Sequence, residues 1–172
     1  NQLIITDKIT VLEDQAKCYM HLKNDEKFIE TVYELIKEYP DNGDYFAMLE
    51  EYVPKEKFIE ELYKIKESIK SKYAHVRILE LIDISDPKFD ELLKEHMHYL
   101  LKKGSPAIYA TIADFTEDKL MAAVKIAEET ELPVYAYAIK QIFIAQVYLS
   151  LKRYNEAYEE IEKGIEHTPT IV

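Results

Sequence analysis

Apolar residues recur at helical spacing along almost the whole chain, and no stretch of useful length alternates with period two. Ile9, Leu12, Ala16 and Tyr19 share one face. So do Phe28, Val32, Leu35 and Tyr39, then Phe58, Leu62, Ile65 and Ile69. Phe89, Leu92, Leu93, His96, Tyr99 and Leu100 continue the pattern. Side chains three and four positions apart meet on a helix, whereas a strand needs every second position. The pattern predicts an all-α fold. Three glycines and six prolines in 172 residues are too few for the tight turns of a β-rich alternative.

The prolines and glycines punctuate the helices. Pro40 follows the second helix. Asp86-Pro87 and Ser105-Pro106 each read as an N-cap followed by proline at the first helical position. Lys102-Lys103-Gly104 reads as a helix end, with cations at the negative end of the dipole and then a glycine free to turn left-handed. Thr116, before Glu117 and Asp118, suits another start. Pro133 opens a helix running to about Leu151, and a last one covers about Asn155 to His167. No Ser/Gly-rich linker interrupts the chain, so residues 1–172 are expected to form one segment.

A search for internal repeats sharpens this. With Pro169 as the final marked position of a tetratricopeptide repeat of roughly 34 residues, the small and aromatic positions fall on Ile144, Ala145, Tyr148, Ala157, Ile161 and Gly164. Gln141 stands where the pattern has tryptophan. Aligning Pro40 in the same way places Leu12, Ala16, Tyr19 and Val32 in register, with Phe28 where a small residue belongs. A third, degenerate unit runs from Tyr45 through Leu49 and Tyr52 to Ile65. Small residues such as Ala145 and Ala157 let antiparallel helices approach closely, and tyrosines fill the groove. The expected fold is a tetratricopeptide-like helical repeat array, a right-handed α-superhelix segment. It divides into a repeat at 1–40, a degenerate repeat at 41–74, irregular helices at 75–132 and a repeat at 133–172. In this register Glu160 lies on the outer face.

No catalytic constellation is evident. Gly43, Gly104 and Gly164 are too scattered to cradle a phosphate or the pyrophosphate of a coenzyme. His96 and His98, two apart on a helix, diverge. Glu95 and His98 have the spacing of a di-iron ligand pair, but such a site needs a second copy and further carboxylates. No catalytic, cofactor or metal site is expected, and these residues read as helix-surface polar groups. The single cysteine, Cys18, excludes an internal disulfide, fits a reducing compartment and reads as a small buried residue. A net charge of −11 repels phosphate backbones, so nucleic acid is not an expected partner. No apolar run approaches the ~20 residues of a membrane span. The lysine-rich run 55–72 reads as a solvated helix face laced with pairs such as Glu60–Lys64.

Two stretches carry a family resemblance. Lys103-Gly104-Ser105-Pro106-Ala107-Ile108-Tyr109 resembles a lysine-glycine-small-proline motif followed by a short helix. Ile165-Glu166-His167-Thr168-Pro169-Thr170-Ile171-Val172 is similar to a motif, built around Thr168, Pro169 and Thr170, that closes a repeat. Both belong to the auxiliary subunit of the N-terminal acetyltransferase A complex, a large tetratricopeptide protein. Lys8–Tyr39 looks like the family's repeat just upstream. Asn42–Glu50 is similar to its asparagine–aromatic–leucine–glutamate helix, and Ala145-Gln146 sits in an equivalent repeat helix. Ile139 takes the place of a family tryptophan, and the stretch from Glu117 to Pro133 is shorter than usual.

The resemblance implies a non-catalytic scaffold. The full subunit would wrap the catalytic acetyltransferase subunit, shape it for co-translational acetylation of nascent chains and tether it to the ribosome, in the cytoplasm. Acetyl-coenzyme A would belong to the catalytic partner. The family's inositol-polyphosphate contacts fall after the Thr-Pro-Thr motif, outside this sequence. The final helix, with Tyr154, Ala157, Tyr158, Ile161 and Ile165, offers more apolar surface than one neighbour covers. By the resemblance, the sequence reads as an excised middle segment, with the rest of that surface left for a following repeat. Two alternatives are a generic tetratricopeptide adaptor gripping a peptide tail in its groove, and a helical metalloenzyme built on Glu95 and His98.

Overall fold

The structure, a computed structural model, describes the backbone of residues 2–166 and the side chains of residues 8–166, residue 135 excepted. All regular structure in this range is helical. The chain divides into two compact units, residues 1–81 and 82–172.

The first unit holds α1 (Gln2–His21), α2 (Asp25–Glu38), α3 (Gly43–Tyr52), α4 (Lys55–Ile69) and α5 (Lys72–Leu81). A three-residue turn joins α1 to α2. In it the Lys23 N–H donates to Met20 O at 3.1 Å and the Asn24 N–H to Tyr19 O at 3.0 Å. Lys23 has φ +53°, and the pair of bonds is the Schellman closure of a helix end. Asn24 then caps α2, its side-chain oxygen accepting from the Lys27 N–H at 3.3 Å. Asp25 and Glu26 in the first turn meet the positive end of the helix dipole. Phe28, Val32, Leu35 and Ile36 are fully buried. Phe28 needs no small residue opposite, because the Tyr52 ring lies 4.1 Å away, centroid to centroid. Tyr39 leaves this face and is 47 % exposed, beyond the helix end.

One long-range tie organises this unit. Asp41 Oδ1 accepts from the N–H groups of Lys72 at 2.8 Å and Tyr73 at 3.1 Å. The Ser71 hydroxyl also donates to it at 3.3 Å. The Ala74 N–H in turn donates to Ser71 Oγ at 3.0 Å. The start of α5 is thus capped by a carboxylate from the α2–α3 connection, satisfying donors that every helix leaves free. Beside it Tyr73 packs on Phe46 and closes over Gly43, where a Cβ would lie 3.1 Å from the tyrosine ring.

The second unit holds α6 (Phe89–Lys103), a 3-10 turn (Tyr109–Thr111), α7 (Glu117–Glu129), α8 (Val134–Ser150) and α9 (Tyr154–Glu166). Asp86-Pro87 does not start α6 directly. Asp86 folds an Asx turn, accepting from the Lys88 N–H at 2.9 Å, and the helix begins at Phe89. Ser105-Pro106 leads into a turn and the 3-10 segment rather than an α-helix. The helix end at Lys102-Lys103-Gly104 is as expected. Gly104 has φ +63°, its N–H reaches Leu101 O at 3.0 Å, and the Ser105 N–H reaches Leu100 O at 3.2 Å. Within α6 the buried positions include Met97 and Leu101, whereas Tyr99 is 43 % exposed and Leu100 half-buried. His96 is not a surface group either: it is buried and hydrogen-bonded to Thr111 Oγ1 at 2.9 Å. Helix α8 is apolar on nearly every face, as a central helix must be. It packs against α6, α7, α9 and the 3-10 turn.

Candidate interaction surface

The described residues include no group of three or more His, Cys, Asp or Glu side chains able to hold a metal ion. No helix among them is long and apolar enough to cross a membrane. Glu95 and His98 are both exposed. The chemistry on offer is that of helix faces, turns and shallow grooves.

The α8–α9 turn repeats that of α1–α2. Lys152 has φ +60°, its N–H donates to Leu149 O at 3.0 Å, and the Arg153 N–H donates to Tyr148 O at 2.8 Å. The tyrosine one turn before each bend has a cation over its ring. Lys27 Nζ lies 5.6 Å from the Tyr19 centroid, and the Arg153 guanidinium lies 4.6 Å from that of Tyr148. Arg153 is held by Glu156, Nε to Oε1 2.9 Å. Burial, and then the charge of Glu128, push the Tyr148 phenol above its ordinary value.

The repeat-packing positions occupy the hairpins as follows. Ala16, Ala145, Ala157 and Gly164 are buried, Tyr148 nearly so and Tyr19 half-buried. A Cβ on Gly164 would lie 3.3 Å from Gln141 Cβ, so the helices approach closely there. Ile161 is 40 % exposed. With Tyr154, Tyr158 and Ile165, each at least 62 % exposed, it forms an apolar stripe along α9. Glu160 is not on the outer face. It is buried and ion-paired to Lys163 at 2.5 Å, because its position faces the same side of α9 as Ala157 and Gly164. Lys103 is exposed, its amine donating to the Tyr99 hydroxyl at 2.6 Å, and Pro106 is exposed. Thr168, Pro169 and Thr170 lie outside the described residues.

Other positions differ from the sequence reading. Cys18 is exposed, since α1 turns it away from the side that buries Ala16. Lys64 pairs with Glu61 at 2.7 Å and not with Glu60. Glu61 is itself buried and accepts from the Tyr33 hydroxyl at 3.0 Å. Burial, with the neighbouring Glu61 charge and hydrogen bond, holds the Tyr33 phenol far above its ordinary value of 10.0. Lys119, a charged residue on a seemingly ordinary amphipathic helix, is buried. Its amine donates to Ile82 O at 2.7 Å and lies 5.7 Å from the Phe89 ring centroid. Such pairings join residues tens of positions apart, which helical periodicity does not encode.

The family model described as N-terminal acetyltransferase A, auxiliary subunit, matches residues 1–136. The chain belongs to this family. Residues 137–172 lie beyond the match, so for the α8–α9 hairpin the likeness to solved structures carries more weight. The chain is similar to one in a structure described as "Structure of Naa15/Naa10 bound to HypK-THB". The TM-score is 0.80 at 19 % identity, over 95 % of this chain and 27 % of that one. At this identity the likeness shows the fold: an all-α, tetratricopeptide-like helical repeat array. The sequence spans about a quarter of the solved chain, so the family is represented here by a minor part of its relative's length. The family is that of the auxiliary subunit, not of the catalytic one.

Proposed function

We propose that this chain is a scaffold segment of the auxiliary subunit of an N-terminal acetyltransferase A complex. In the whole protein it would help hold and shape the catalytic subunit for co-translational acetylation of nascent chains. The family match over residues 1–136 carries this reading. The solved relative, described as a complex of Naa15 with Naa10, supports the catalytic subunit as the partner. Helix hairpins offering exposed tyrosine and isoleucine side chains suit such a role, since aromatic residues are enriched where proteins meet. Tethering to the ribosome and a cytoplasmic location belong to the same proposal and rest on the family. We propose with it the structural role of the Lys103-Gly104-Pro106 motif, which rests on the family, and the close packing of Ala145 against Ala157, which rests on the repeat register.

The test has two arms. Alone with acetyl-coenzyme A and a serine-starting peptide, the chain is expected to give no turnover above buffer. With the purified catalytic subunit at micromolar concentration, it is expected to co-elute in size-exclusion chromatography or to change that subunit's peptide preference. Turnover by the chain alone, or neither effect on the catalytic subunit, overturns the reading.

A further inference from the structure

One groove in the second unit has a composition that scaffold packing does not explain. It runs between the end of α7, the first half of α8 and the second half of α9. Its inner part, about 260 Å3, is lined by Glu128, Tyr137, Lys140, Gln141, Glu160 and Lys163 among others. It adjoins an outer part, about 400 Å3, that shares Glu128, Tyr137 and Lys140 and adds Glu129 and Glu131. Gln141 is 4 % exposed, and its side-chain Oε1 is buried with no hydrogen-bond partner. Buried acceptors are nearly always paired, and an orphan is a standing destabilisation. Natural sequences remove such groups easily by substituting an apolar side chain of the same shape, so a retained one asks for a reason.

The charges around Gln141 indicate what would satisfy it. Lys163 is neutralised by Glu160 at 2.5 Å. Lys140 is buried, with its amine turned to Thr130 O at 3.3 Å and 5.0 Å from the Tyr137 ring centroid. Both amines are therefore engaged. The exposed Glu128 carboxylate stands at the mouth of the groove, where its charge also acts on the Tyr148 phenol. Glu129 and Glu131 stand at the same rim, where α7 ends and its dipole is negative. The groove is thus an acidic slot lined in part by Gln141, whose buried Oε1 is unpaired.

We propose that this groove binds an arginine side chain of a partner polypeptide. A guanidinium carries five donors in a planar fork and no acceptor. It can therefore donate to the Gln141 amide oxygen and the Glu128 carboxylate together, which a single-point ammonium does less well. The inner volume is below the usual range for a small-molecule pocket, roughly 300–1,000 Å3, and suits one side chain. The terminal torsion of glutamine is broad, so the amide oxygen turns toward an incoming donor at little cost. This site goes beyond the scaffold reading and does not depend on it.

The experiment is an NMR titration of the isotopically labelled 172-residue chain with N-acetyl-arginine-N-methylamide. The lysine and norleucine derivatives serve as comparisons. The arginine derivative is expected to give saturable shifts of the Gln141 side-chain NH2 and of the Glu128 and Lys140 backbone amides. Its affinity is expected to exceed that of the lysine derivative by threefold or more, with no response to norleucine. Gln141→Met is expected to weaken binding at least tenfold while leaving the melting temperature unchanged or higher, which shows that the fold survives. Glu128→Gln, at an exposed rim, is expected to weaken it similarly. Shifts spread over every acidic helix face, equal responses to arginine and lysine, or unchanged binding in either variant overturn the proposal. Neither the catalytic subunit nor acetyl-coenzyme A enters the test, so its failure leaves the scaffold reading intact.

Discussion

The hairpins α1–α2 and α8–α9 bend in the same way and are covered differently. Each bends on a Leu-Lys step with the lysine left-handed, Lys23 or Lys152, and each buries an alanine before the bend, Ala16 or Ala145. After the bend they diverge. Helix α2 buries Phe28, Val32, Leu35 and Ile36 completely. At the equivalent positions α9 has Ala157, Ile161, Gly164 and Ile165, and its two isoleucines are 40 % and 63 % exposed. Helix α2 packs on α1 and on α3, and its Tyr33 reaches Glu61 of α4. Within the described residues α9 packs chiefly on α8. The turn is therefore local property, written in a few residues, while burial depends on how many helices surround the face. The same apolar pattern yields a core in one hairpin and an open stripe in the other.

The largest effect expected from this contrast is at Phe28. Phe28→Ala should cost about 3–5 kcal/mol, since it empties a fully buried site packed against the tilted Tyr52 ring. A loss under about 1 kcal/mol in chemical denaturation would mean that α2 does not rely on this core. The direct comparison comes next. Ile36→Ala should cost roughly 2–5 kcal/mol, and Ile165→Ala, at an exposed position, only about 0.5 kcal/mol or less. Equal shifts in denaturation midpoint would break the contrast between covered and open faces. Ala145→Leu tests the close approach in the second hairpin. Overpacking there should cost about 1–3 kcal/mol, and a neutral outcome would show slack between α8 and α9.

An alkaline pH dependence is expected in both units, since the phenols of Tyr33 in the first and Tyr148 in the second are both raised. The Tyr33 phenol in the first unit stays protonated in the fold well above its ordinary value of 10.0. The folded state thus binds a proton that the unfolded chain has lost, and stability falls as pH rises through and beyond 10.0. It is fully present below that value. Thermal melting followed from neutral to alkaline pH should show this decline, and Tyr33→Phe should reduce its slope, leaving the share of Tyr45, Tyr73 and Tyr148. The variant should also lower stability at neutral pH, because Glu61 loses one of its donors. The smallest effect is at the shared turn. Lys23→Gly and Lys152→Gly should each stabilise by about 0.5–1 kcal/mol, by removing the cost of a left-handed residue with a Cβ. Opposite signs at the two sites would show that the turns are not equivalent after all.

The helices and the left-handed helix end at Gly104 were legible in the sequence. Each arises from spacing or chemistry within about one turn of helix. The short-range start signals were less exact. Asp86-Pro87 promised a helix two residues early, because an aspartate serves an Asx turn as well as an N-cap, and only the packing of Phe89 selects between them. Glu160 and Cys18 went to the wrong faces: Glu160 shares the Ala157–Gly164 side of α9, where an ion pair with Lys163 holds its charge, and Cys18, two positions from buried Ala16, points away from it. Most of the candidate groove was hidden as well. Gln141 was noticed only as a missing tryptophan, and its burial beside Glu128, Lys140 and Lys163 needs three helices brought together.

Helical periodicity, the Gly104 helix end and the resemblance to a repeat family were therefore legible in the sequence alone, because local backbone preference and the 3.6-residue repeat act between near neighbours. The tertiary structure decided what those neighbours could not. It assigned Asp41 to the start of α5, 31 residues along the chain. It buried Glu61 under Tyr33 and Lys119 under the Ile82 carbonyl, and left Gln141 Oε1 without a hydrogen bond beside an acidic slot. Whether a polar side chain is solvated, paired or orphaned depends on which distant segment occupies the space beside it. That choice follows from the packing of whole helices against one another.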